Sequence, residues 1–137
     1  MISAVDSQQK FDYWRQSANE NLKAADTLLN GGHWLYVLFM CQQAIEKLAK
    51  GLYILFIDDN IPRINNIRAI IKKFENKLSS PISIERYSFL NDLSSFYINA
   101  RYDIYKQNLS NNLNKQNTEI MLSKTKEVFT WLLTLKP

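Results

Sequence analysis

Apolar residues recur along the chain at steps of three and four rather than two, which is the period of helices and not of strands. The spacing divides the sequence into five helical segments. The first, from about Gln9 to Asn30, carries one stripe of Phe11, Trp14, Ala18, Leu22, Ala25 and Leu29. Asn30-Gly31-Gly32 follows as a stop signal, because glycine tolerates the left-handed geometry that ends a helix. The second segment, from about His33 to Ile57, is apolar over most of its circumference, so it is expected at the centre with several neighbours. Its polar remainder is Gln42, Gln43, Glu46, Lys47 and Lys50, at helical spacing on one side. After the breaker Asp58-Asp59-Asn60-Ile61-Pro62, a shorter helix is predicted over about Asn65–Leu78, with Ile67, Ile70, Ile71 and Phe74 inside. Ser80 as N-cap and Pro81 in the first turn fit the start of a fourth helix running to about Lys106. Its stripe is Tyr87, Leu90, Leu93, Tyr97, Ala100 and Ile104. Arg101 stands at the stripe's edge, where a charge must be paired or functional. Gln107–Asn117 holds five Asn and reads as an exposed loop, and a last helix is predicted over about Thr118–Leu135.

Composition agrees with an all-α chain. Three Gly and three Pro in 137 residues are too few for the turns of a sandwich or barrel. The length is that of one domain, residues 1–137. Cys41 is the sole cysteine, which excludes an intrachain disulfide and a thiolate zinc cluster. His33 is the sole histidine, which excludes a multi-histidine metal site and a two-histidine catalytic pair. No metal and no cofactor is expected. Met1–Gln9 has no apolar signal core, and charges interrupt the stretch Trp34–Ile57, so neither a leader nor a membrane span is read; the expectation is a soluble, cytoplasmic protein.

The net charge is +4, and its location matters more than its size. Residues 60–77 carry Arg63, Arg68, Lys72, Lys73 and Lys77 against Glu75 alone. Such a patch can steer a polyanion, or it is a solvated helix face.

Two stretches matter together. One is the glycine-led helix with Phe39, Gln43, Ala44, Glu46, Lys47 and Lys50; the other is Arg101-Tyr102 late in the fourth helix. They resemble the HEPN family (higher-eukaryote and prokaryote nucleotide-binding domains). The first helix, with Trp14, Ala18, Leu22, Ala25 and Leu28-Leu29, is similar to that family's leading helix, and the likeness spans about residues 9–135. The resemblance implies an up-and-down antiparallel bundle of four long helices plus one short helix. It implies a homodimer with the second and fourth helices lining a groove at or near the interface, and a role near nucleotides or RNA. Many members are metal-independent ribonucleases; others are non-catalytic partners of small nucleotidyltransferases in toxin–antitoxin pairs.

The chain departs from the nuclease pattern. That pattern places a His after four to six residues beyond the Arg, and here the positions hold Lys106, Gln107 and Asn108. The His that often opens the third helix is matched by Asn65. Metal-free RNA cleavage needs a base for the 2′-hydroxyl proton and a cation for the phosphorane. Arg101 could be the cation. A base should titrate near neutrality, whereas lysine starts near ~10.4 and amides do not titrate. The sequence therefore points to a non-catalytic, dimeric binding module for a nucleotide or a partner protein such as a small nucleotidyltransferase, with Arg101, Tyr102, Gln43, Glu46, Lys47 and Lys50 as ligand-binding residues and no catalytic residue. Two alternatives stay open: a degenerate ribonuclease using Arg101, and a purely structural helical dimer. Glu46 and Arg101 are expected as a pair between the second and fourth helices, which could be a structural tie or an arginine held ready for phosphate. Lys47 and Lys50 could equally be a solvated face, Tyr102 a packing residue and Cys41 a buried inert thiol.

Overall fold

The computed structural model describes residues 3–99 and 111–137. Five α-helices, four of them long, and no strand occur among these residues. The first, α1 (Ala4–Asn30), begins earlier than its apolar stripe because Ser3 caps it, its hydroxyl accepting from the Asp6 amide at 3.1 Å. Its stop falls at the predicted glycines, and Gly32 is the one that needs to be glycine: φ is +78° there, and the His33 amide turns back to the Leu28 carbonyl.

The central helix, α2 (Trp34–Phe56), buries thirteen of its residues, so it is surrounded by α1 and by the later elements rather than lying on a surface. Its apolar surface is thus largely covered within one chain. Facing it, α1 buries Phe11, Ala18 and Ala25, seven residues apart. A strict seven-residue repeat is a narrow seam, and the alanines at two of its three positions allow close antiparallel approach. At Gly51 the approach is close enough that an added Cβ would lie 3.0 Å from the Phe11 ring and 3.1 Å from Trp14 Cβ.

The third segment is broken rather than continuous. Asn66 caps a short α3 (Ile67–Lys72), and a 3-10 turn over Glu75–Lys77 follows. Phe74 between them stacks on Phe56 at the end of α2, with ring centroids 5.2 Å apart. The next helix, α4 (Ile84–Asn99), starts three residues later than its predicted cap: Ser83, not Ser80, accepts from the Arg86 amide at 3.2 Å. Ile82 is buried just before it, so Ser80-Pro81 belongs to the approach. The predicted continuation to Lys106 lies outside the described residues. The last helix, α5 (Lys115–Leu133), begins inside the expected asparagine loop. Asn114 and Asn117 form a reciprocal capping box, so these asparagines start a helix instead of avoiding one.

Tyr87 near the start of α4 meets Arg68, Lys72 and Glu75, and Arg86 meets Trp131 near the end of α5. Lys126 of α5 pairs with Asp26 of α1 at 2.8 Å. These contacts give alternating directions for α1, α2, α4 and α5, the up-and-down arrangement the resemblance implied. The core fills the space around α2 with Leu38, Ile45, Leu48, Leu52, Leu90 and Leu132, all fully buried. No helix among the described residues is long and apolar enough to cross a membrane.

Candidate functional site

The polar residues of α2 divide between two neighbours. Gln43, Lys47 and Lys50 turn toward α1. Asn21 Nδ2 donates to Gln43 Oε1 at 3.4 Å, Lys47 Nζ donates to Ser17 Oγ at 2.8 Å, and Lys50 Nζ lies 5.9 Å from the Trp14 ring centre. Residue numbers fall on α1 as they rise on α2, as antiparallel packing requires. Gln42 turns the other way: its Nε2 donates to the Asn65 carbonyl at 3.4 Å and to Glu46 Oε1 at 3.5 Å. Glu46 sits between the two sets, with its second oxygen 3.8 Å from Lys50 Nζ.

The strip is therefore neither a solvated face nor an open cleft. Gln42 is buried, and Gln43, Glu46, Lys47 and Lys50 are half-buried. Burial pushes the Glu46 carboxyl above the ordinary carboxylate range; Lys50 and the Gln42 amide oppose the shift without cancelling it. Two acceptors nearby have no donor among the described residues, Gln42 Oε1 and Asn21 Oδ1. A buried polar atom left so costs about 1–3 kcal/mol, so each is a place where a donor would be welcome.

Of the residues singled out from sequence, the structure brings Gln43, Glu46, Lys47 and Lys50 together. Arg101 and Tyr102 lie outside the described residues, and with them the expected Glu46–Arg101 pair. Sequence reasoning missed Trp14, Ser17 and Asn21, which supply the α1 side. Their signal was present: Ser17 and Asn21 are four apart and flank Ala18 of the stripe. His33, exposed at the start of α2, and Cys41, buried, both stand apart from the strip. Burial pushes the Cys41 thiol up to about 11, with a Thr125 hydrogen bond opposing, so it carries no thiolate near neutrality.

A second charged cluster braces α3 against α4. The Tyr87 hydroxyl donates to Glu75, whose other oxygen takes Lys72 Nζ at 3.0 Å; Arg68 and Lys72 lie 5.1 and 4.7 Å from the Tyr87 ring centre. The Tyr87 bond, then Lys72, holds the Glu75 carboxyl below its usual range, while burial and that carboxylate raise the Tyr87 phenol. Arg63, Arg68, Lys73 and Lys77 of the basic stretch are exposed.

The family model for the HEPN domain matches residues 11–135, nearly the whole chain. The chain belongs to the HEPN family. Comparison with the curated proteins and with the solved structures returned no significant match. Within this HEPN domain, the matched stretch holds both the α2 strip and Arg101-Tyr102, and it begins at Phe11, the residue packed under Gly51.

Proposed function

We propose that this HEPN domain is a non-catalytic binding module that takes a nucleotide beside α2 and works as a homodimer. One observation carries the reading: the family's arginine position is kept as Arg101, while no imidazole follows it, and the chain's single histidine is at the opening of α2. What remains is equipment for holding phosphate rather than moving protons. Lys47 and Lys50 are cations held half-buried beside an aromatic ring and a hydroxyl, where a nucleotide's phosphates and base would each find a complement. Gln42 Oε1 and the Glu46 carboxylate are acceptors of the kind a guanidinium fills, which supports a part for Arg101 in holding the ligand here. Family membership supports the dimer, and a small nucleotidyltransferase is the partner class the family suggests.

Calorimetric titration of the purified chain with ATP tests this. Saturable binding is expected, weakened at least tenfold in Lys50→Ala and in Arg101→Ala. Absence of binding at millimolar ATP, or affinity untouched by both substitutions, contradicts the site. Sedimentation at tens of micromolar reads the dimer; a species of the 16.1 kDa chain mass contradicts it.

A further inference from the structure

α4 and α5 each pack against α2, yet among the described residues they make almost no approach to one another. An open groove of about 870 Å³ separates their facing sides. Phe89 from α4 and Met121 and Val128 from α5 line it with apolar surface, and Ile84, 85% exposed, stands at its edge. Arg86 lies over the Trp131 ring at 3.9 Å, which occupies that cation.

The charges in this groove run against the balance of the chain. The described residues hold twelve carboxylates, and seven of them are in ion pairs. Of the five that are not, three line this one groove: Glu85, Asp92 and Glu127. The first turn of α4 gives Glu85 a reason of its own, since a helix start favours an acid. Asp92 and Glu127 have none within the fold. Lys124 is the one unoccupied cation among the lining residues. A protein of net charge +4 thus places three of these five carboxylates around one open, partly apolar groove.

We infer that the α4–α5 groove is the docking site for an amphipathic helix of a partner protein, its apolar stripe against Phe89, Met121 and Val128 and its Lys/Arg flanks against Asp92, Glu85 and Glu127. A trough between two neighbouring helices suits a third helix, about 10 Å across. Glu85 and Asp92 are seven residues apart on one wall, about two turns, so they meet basic residues at i and i+7 of the incoming helix. Glu127 serves the opposite flank. Two other occupants fit less well. A second copy laid groove on groove would set six carboxylates against two unoccupied cations, and a polyanion would meet a net negative surface. None of the strip residues of α2 lines this groove, so the inference stands apart from the nucleotide site.

Fluorescence anisotropy with two labelled synthetic peptides tests it, each a helix of about 18 residues with the same leucine stripe, one flanked by lysines and one by glutamates. The full chain is expected to bind the lysine peptide saturably, one to one, and the glutamate peptide at least tenfold more weakly. The double substitution Asp92→Lys/Glu127→Lys, at exposed positions that leave the fold intact, should weaken the lysine peptide at least tenfold; Phe89→Ser should weaken both peptides. Equal affinity for the two peptides, no binding, or lysine-peptide binding indifferent to these substitutions overturns the inference. So does a dimer in sedimentation that the double substitution dissociates or strengthens, because a second copy would then fill the groove.

Discussion

α1 and α5 flank the same central helix and treat it differently, and so do the spaces beside them. Between α1 and α2 the backbones come close because Ala18, Ala25 and Gly51 occupy the seam, and the polar groups caught there, Gln43, Lys47 and Lys50, each contact α1. Between α4 and α5 the facing positions include Phe89, Met121, Asp92 and Glu127, which line an open groove, and the two carboxylates have no ion-pair partner among the described residues. One space is closely packed along its apolar seam; the other stays open to solvent. Small residues at seven-residue spacing let two backbones come close, and unpaired carboxylates beside apolar side chains leave a groove hydrated.

Three substitutions probe this contrast. The largest effect is expected at Phe11, fully buried at the α1–α2 seam: Phe11→Ala should cost about 3–5 kcal/mol in urea unfolding. Phe89→Ala, half-buried in the groove, should cost well under half as much; equal losses would mean the groove is as closed as the seam. Next, Gly51→Ala should destabilise by about 1–3 kcal/mol of overpacking, partly offset by about 1 kcal/mol of helix propensity. Phe11 cannot yield because it is enclosed, and Trp14 Cβ is fixed to its backbone. A stabilised Gly51→Ala protein would show that the seam has slack.

The smallest effect is a pH dependence at the α3–α4 brace. The folded chain holds the Glu75 carboxyl below its usual range, so the unfolded chain binds that proton more readily. Its contribution to stability is present above the ordinary glutamate value near ~4.3 and is lost as pH falls through the folded value. Glu75→Gln should lower the melting temperature at pH 6, and the deficit should shrink as the pH is lowered below the ordinary glutamate value. A deficit that does not change with pH would say that the Glu75 charge contributes nothing to stability.

Much of the fold was legible because apolar spacing is a local property. The stripe Phe11–Ala18–Ala25, the glycine stop and the central place of α2 all follow from it. Helix starts were harder, since several serines and asparagines compete for one cap. Ser83 won over Ser80 because burying Ile82 sets where the chain must turn, which is a tertiary fact. The asparagine-rich stretch misled for a similar reason: Asn114 and Asn117 satisfy each other's amides only once the helix exists. The residues of the α2 strip could be named from sequence, but not their division. One helical face borders two neighbours, and whether Gln42 looks toward α3 or α1 depends on where those helices stand. The α4–α5 groove was illegible altogether, because it results from how far apart two helices stand, which local spacing does not encode.

The central claim is that this HEPN domain holds its ligand and does not cut RNA. Incubating the purified chain with end-labelled RNA in EDTA, beside Arg101→Ala, tests it most directly. Intact RNA in both samples is the predicted result. Cleavage by the unsubstituted chain that disappears in Arg101→Ala would contradict it.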